Sequence, residues 1–173
     1  MRTDWVEHDV MRLILAALMP HNRLAAIVSL VTGMRISDVL DLKRSDLRKD
    51  RITYTEYKTL KRRTVRLPSK LRSELMAISG KIFVFEHRLD PLRPRTRQAV
   101  YKDIKRAAAA FRVPLNVAPH TARKIYAVAE YKKDMNVARV KELLNHSSEA
   151  VTMIYIMADV LTERNQQKKR VQG

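Results

Sequence analysis

The 173-residue sequence has no cysteine, only three glycines and few aromatic residues, 6% in all. The lack of cysteine excludes a disulfide scaffold, a thiol nucleophile and a thiolate zinc site. The glycines fall at 33, 80 and 173, so neither a GxxxxGK[ST] nor a GxGxxG phosphate loop can be written. Nucleotide hydrolysis through such a loop has no support. Five histidines, at 8, 21, 87, 120 and 146, never pair with one another at metal-ligand spacing, so no metal site is expected. Long apolar runs are missing too, since none approaches the roughly 18 residues of a membrane span. Asp4, Glu7 and Asp9 are unlike the basic start of a secretory signal, and a cytoplasmic, nucleoid-associated location is the expectation.

What is abundant is positive charge. Thirty-five Lys and Arg against 18 Asp and Glu give a net charge of +17 and a pI of about 10.5. With 46% hydrophobic residues, one compact domain is expected, because a chain of about 150 residues buries about 70% of its unfolded surface. Each Lys or Arg that meets a phosphate releases condensed counterions, so the partner implied is a polyanion, nucleic acid first of all. The charge is concentrated. Residues 1–42 hold 4 basic and 5 acidic side chains, residues 43–72 hold 12 and 3, and residues 88–112 hold 8 and 2.

Apolar residues recur at helical spacing through 5–19 and 21–32, with Pro20 between. Gly33 suits a left-handed residue ending the second helix, and Ile36, Val39, Leu40 and Leu42 begin a further short helical face. From Arg51 to Leu67 the pattern changes to period two, rich in β-branched residues, which predicts an antiparallel hairpin. Pro68 starts a helix through Leu71, Leu75 and Ile78. Ile82–Phe85 is a candidate third strand. Helices return over 95–111, 120–132, 136–144, 148–157 and 159–170. The fold class expected is mainly α with a small antiparallel sheet.

The residues able to do chemistry are cations and proton carriers without a carboxylate cluster. Pro119-His120-Thr121-Ala122-Arg123 sets His120 and Arg123 on one helix face, where an arginine fork and an imidazole can grip one phosphate. A solvated helix start fits that pair as well. Leu144-Asn145-His146-Ser147-Ser148 joins two helices, and Tyr155 follows two turns on, where a half-buried packing role is the alternative.

Taken together, these segments closely resemble the catalytic domain of the tyrosine recombinases, the phage integrase family. The resemblance rests on Thr32-Gly33-Met34-Arg35-Ile36-Ser37-Asp38, Tyr57-Lys58-Thr59 in a basic hairpin ending Val65-Arg66-Leu67-Pro68, Pro119-His120-Thr121-Ala122-Arg123, Leu144-Asn145-His146, and Tyr155. Order and gaps both match, from about Leu24 to Tyr155. It implies breaking and rejoining of DNA strands without metal or high-energy cofactor through a 3′-phosphotyrosyl intermediate, with integration, excision or inversion as outcomes. Tyr155 is then the nucleophile, Arg35 and Arg123 clamp the phosphate, and Lys58 protonates the leaving oxygen. His120 moves the tyrosine proton, His146 hydrogen-bonds the phosphate, and Asp38 supports the site from behind. DNA contacts are expected from Lys43, Arg44, Lys61, Arg62, Arg63, Arg66, Arg95, Arg97 and Lys124.

The implied partners are double-stranded recombination sites, a homotetramer on DNA, and accessory DNA-bending proteins, in a bacterial or phage-encoded setting. Asn145 stands where many members have Gly, Lys124 where a basic or His residue is usual, and Met157 where His is frequent. The chain reads as one catalytic domain over 1–173, without the family's N-terminal helical domain. Residues 159–173 are expected to be a basic C-terminal helix or tail, with docking on a neighbouring subunit, packing on its own domain or a frayed tail as the alternatives. A DNA-binding module or an inactivated regulator of the same fold is the alternative, and the intact set of six catalytic candidates argues against decay.

Overall fold

The computed structural model describes residues 3–144 and Thr152. His146, Tyr155 and the expected helix at 159–170 lie outside the described residues, as does the helix at 148–157 apart from Thr152. Among the described residues there are seven α-helices and one two-stranded sheet. Helix α1 (His8–Ala16) buries Met11 and Ile14. It starts three residues later than the apolar spacing suggests, because Glu7 holds extended backbone at the N-cap. Helix α2 (Pro20–Thr32) begins on a proline, whose missing N–H is one the first turn leaves unpaired anyway. It ends at Gly33 with φ of 68°, the left-handed conformation expected there.

A short α3 (Ile36–Leu40) and a 3-10 helix (Arg44–Arg48) lead into β1 (Arg51–Thr55) and β2 (Arg62–Arg66). The strands pair antiparallel, from Arg51 opposite Arg66 to Thr55 opposite Arg62. Ile52, Tyr54 and Glu56 turn inward on the first arm, and Arg63, Val65 and Leu67 on the second, while their neighbours face solvent. Helix α4 (Ser69–Ile78) follows Pro68. The apolar run 82–85 is not a third strand: Phe83 forms one isolated bridge with Lys43, and the Val84 N–H donates to the Leu42 carbonyl at 2.8 Å. It plugs the core as a loop, with Val84 and Phe85 fully buried.

Three further helices complete the described fold: α5 (Arg97–Ala110), α6 (Pro119–Asp134) and α7 (Val137–Leu144). The Thr96 hydroxyl accepts from the Ala99 N–H at 3.2 Å and caps α5, and the Thr121 hydroxyl accepts from the Ala118 N–H at 3.2 Å at the start of α6. Helix α2 is central, lying against α1, α3, α4, α5 and α6. Its C-terminal end, at Gly33, meets α3 and α6, and the candidate functional side chains gather at that junction, while its N-terminal end is tied to Asp103 of α5.

Candidate active site

The α2–α3 corner is built to present Arg35. The Ser29 hydroxyl donates to the Met34 carbonyl at 2.7 Å, and the Thr32 hydroxyl accepts from the Met34 N–H at 3.2 Å. These bonds fix the backbone just before Arg35, the N-cap residue of α3. Gly33 is required twice over here. Its φ is left-handed, and an added Cβ would lie 2.5 Å from the Tyr126 ring on α6. That close approach lets α6 bring its first turn against the corner.

The first turn of α6 carries His120 and Arg123. Arg123 is 1% exposed, the largest fully buried side chain among the described residues. Its Nη1 donates to the Gly33 carbonyl at 2.7 Å and its Nη2 to the Leu144 carbonyl, so one guanidinium ties the α2–α3 corner to the end of α7. Burial, then the neighbouring Arg35 charge, lowers its pKa to about 10, which leaves it charged at neutral pH. Burial and the charges of Arg123, Lys124, Arg35 and Lys58 push His120 down to about 4, so its imidazole is neutral. Arg35 and Arg123, distant in sequence, line one cleft of about 350 Å³ together with His120, Ser37, Arg97 and Tyr101.

Lys58 is not a lining residue of that cleft; it is exposed in the turn between β1 and β2, near enough for its charge to act on His120. The turn is held toward the site by Asp38, whose Oδ1 accepts from the Tyr57 N–H at 3.0 Å. Burial raises the Asp38 pKa, opposed by the Tyr57 hydrogen bond. Asp38 thus ties the lysine-bearing turn to α3 through that backbone hydrogen bond.

The nine expected DNA contacts separate into two groups. Lys43, Arg44, Lys61, Arg62, Arg66 and Arg97 are exposed. Arg66 pairs with Asp50 at 3.3 Å, and Arg44 donates to the Gly80 carbonyl at 3.2 Å. Arg63, Arg95 and Lys124 are turned inward. Arg63 donates to the Leu143 carbonyl and lies 3.3 Å from Glu56, Arg95 donates to Asn22 at 2.8 Å, and Lys124 donates to the Thr3 carbonyl. These three hold the fold together in this structure.

Sequence reasoning missed Glu56, which is wholly buried and faces both Arg35 and Arg63. The signal available was phase: Glu56 follows Ile52 and Tyr54 at intervals of two, on the inward face of the strand. Tyr54 was missed as well. Its hydroxyl is buried without a hydrogen-bond partner among the described residues, and burial pushes its pKa up to about 12. Tyr101, on α5, lines the cleft beside Arg97. Among the described residues no group of three or more His, Asp or Glu is placed to hold a metal, and no helix is long and apolar enough to cross a membrane.

The profile of the phage integrase family matches residues 4–161. The chain belongs to this family, the tyrosine recombinases. It is 32% identical over 137 residues to the probable integrase/recombinase YoeC of Bacillus subtilis, spanning 77% of this chain and 75% of that protein. The fold matches the catalytic domain of bacteriophage HP1 integrase with a TM-score of 0.66 and 22% identity, covering 91% of this chain and 89% of that one. It also matches XerH recombinase bound to its palindromic difH substrate in a post-cleavage complex, with a TM-score of 0.70 and 22% identity, over 87% of this chain and 48% of that one. Against most other curated relatives the chain spans about half of their length.

Proposed function

We propose that this chain is the catalytic domain of a site-specific DNA recombinase that cuts and rejoins strands without metal. The observation that carries the reading is the convergence of Arg35, His120 and Arg123 in one cleft, with the imidazole neutral among cations. A scissile phosphate in that cleft receives two guanidiniums, the charged and rigid donors suited to developing charge on non-bridging oxygens. It competes with the Leu144 carbonyl for the Arg123 fork. Tyr155 attacks phosphorus; the bond from its phenolic oxygen to phosphorus forms as the bond to the 5′ oxygen breaks. His120, neutral, accepts the phenolic proton, and the incoming phosphate charge raises its basicity from a value near 4. Lys58 delivers a proton to the departing 5′ oxygen, and His146 hydrogen-bonds the phosphate. Attack by a 5′ hydroxyl of a second strand reverses each transfer and seals the new junction.

On this reading the substrate is a pair of double-stranded recombination sites, held by a homotetramer with accessory DNA-bending proteins, in the nucleoid of a bacterial or phage-infected cell. The exposed cations Lys43, Arg44, Lys61, Arg62, Arg66 and Arg97 supply backbone contacts. The test is covalent capture: incubate the protein with a pool of nicked duplexes of randomised sequence, in chelator, then denature and sequence the DNA that remains attached. The expected result is a small set of related, covalently held sites. Retention of DNA that is lost on denaturation would identify a binding module instead.

A further inference from the structure

One buried carboxylate lies at the meeting point of three parts of the site. Glu56 is 0% exposed and closes the β1 arm at the turn that carries Lys58. Its Oε1 lies 2.9 Å from Arg35 Nη1 and 3.3 Å from Arg63 Nη1, and its Oε2 accepts from the Thr59 hydroxyl at 2.6 Å. Its backbone is fixed as well, with its N–H donating to the Lys61 carbonyl at 3.0 Å and its carbonyl accepting from the Leu60 N–H at 2.9 Å. Arg63 in turn donates to the Leu143 carbonyl, three residues before His146. The arginine of α3, the lysine turn and the end of α7 thus meet at one side chain.

A carboxylate beside a phosphate-binding arginine weakens the raw attraction for an anion, so its presence needs a reason. Arg35, Arg63 and Arg123 crowd together with little solvent, and three desolvated guanidiniums repel one another unless an acid is set among them. Arg35 is only 18% exposed, and its Nη1 makes no aligned hydrogen bond among the described residues, so Glu56 holds it by charge. This leaves Arg35 its remaining N–H groups for a phosphate, with the guanidinium plane already oriented.

We infer that Glu56 is a positioning residue, setting the Arg35 guanidinium for a non-bridging phosphate oxygen while locking the lysine-bearing turn to it. The inference rests on the recombinase reading above. Its reach goes beyond Asp38, which binds only the backbone of the same turn.

The test compares the full chain with Glu56→Gln, which keeps shape and the acceptor for Thr59, and with Glu56→Asp. In the absence of DNA, nitrogen-detected NMR reads rotation of the Arg35 guanidinium: slow in the wild type, fast in Glu56→Gln. An unchanged rate overturns the inference without reference to any activity. On a captured, nicked site, Glu56→Gln should bind within about twofold of wild type yet cleave about 10- to 100-fold more slowly in a single turnover, with partial rescue by Glu56→Asp. A methylphosphonate at the scissile position removes the charge that Arg35 meets, so there the penalty should shrink to about threefold or less. An equal loss on both substrates identifies a merely structural role and overturns the inference. If the wild type forms no adduct at all, the recombinase reading fails, and the guanidinium rotation alone decides whether Glu56 positions Arg35.

Discussion

His120 shows how strongly neighbours set the behaviour of a single side chain. Its folded pKa of about 4 lies below the ordinary 6.5 because burial and four nearby cations oppose a further positive charge. The unfolded chain therefore binds more protons between those values, and stability falls as pH drops through that window. The loss is on the order of 3 kcal/mol across the full interval, and replacing His120 by Gln should flatten it. Urea midpoints of both proteins between pH 7 and pH 4 test this; parallel curves would show that His120 titrates normally. Asp38 works in the opposite direction, because a raised carboxyl pKa costs stability as pH rises through it. The motif marks Arg123 as a candidate phosphate ligand, but it gives no sign of the two carbonyl bonds. They join Gly33 to Leu144 across the fold, and nothing in local sequence marks such partners.

The hairpin shows what an element adds. Its cations look alike in sequence, yet period-two alternation places Arg62 and Arg66 outward and Arg63 inward, in phase with Val65 and Leu67. Replacing Arg62 by Ala should leave stability within about 0.5 kcal/mol and lower the slope of log affinity against log salt by about one. Replacing Arg63 by Ala breaks its contacts to Glu56 and Leu143 and should cost about 3 kcal/mol, because it removes a partner from a buried pair. Denaturant unfolding and salt titrations of DNA binding separate the two. Equal effects on both measurements would contradict the orientation described. The α2–α3 corner was more readily legible, since Gly33 followed by a new helical face marks a left-handed stop. The 82–85 run was not, because a short apolar stretch fits a strand or a core plug equally well, and here it makes one isolated bridge, Phe83 with Lys43, beside the Val84 N–H bond to the Leu42 carbonyl.

At the scale of the molecule, the excess of positive charge divides between a surface and an interior. Lys43, Lys61, Arg62 and Arg97 remain exposed for a polyanion, while Arg63, Arg95, Arg123 and Lys124 are committed to carboxylate, amide or carbonyl partners. Composition alone could not make that division, because it depends on which cations the tertiary fold turns inward. The order of motifs did carry the fold and the gathering of Arg35, His120 and Arg123, because each motif sits at an element end that α2 and α6 bring together. In the proposed reaction Tyr155 becomes covalently joined to DNA. Tryptic digestion of the captured adduct followed by mass spectrometry tests it directly, since the peptide spanning 142–164 contains a single tyrosine, Tyr155. Nucleotide mass is expected on that peptide and none in Tyr155→Phe. Nucleotide mass on any other peptide, or an adduct that survives the substitution, would contradict it.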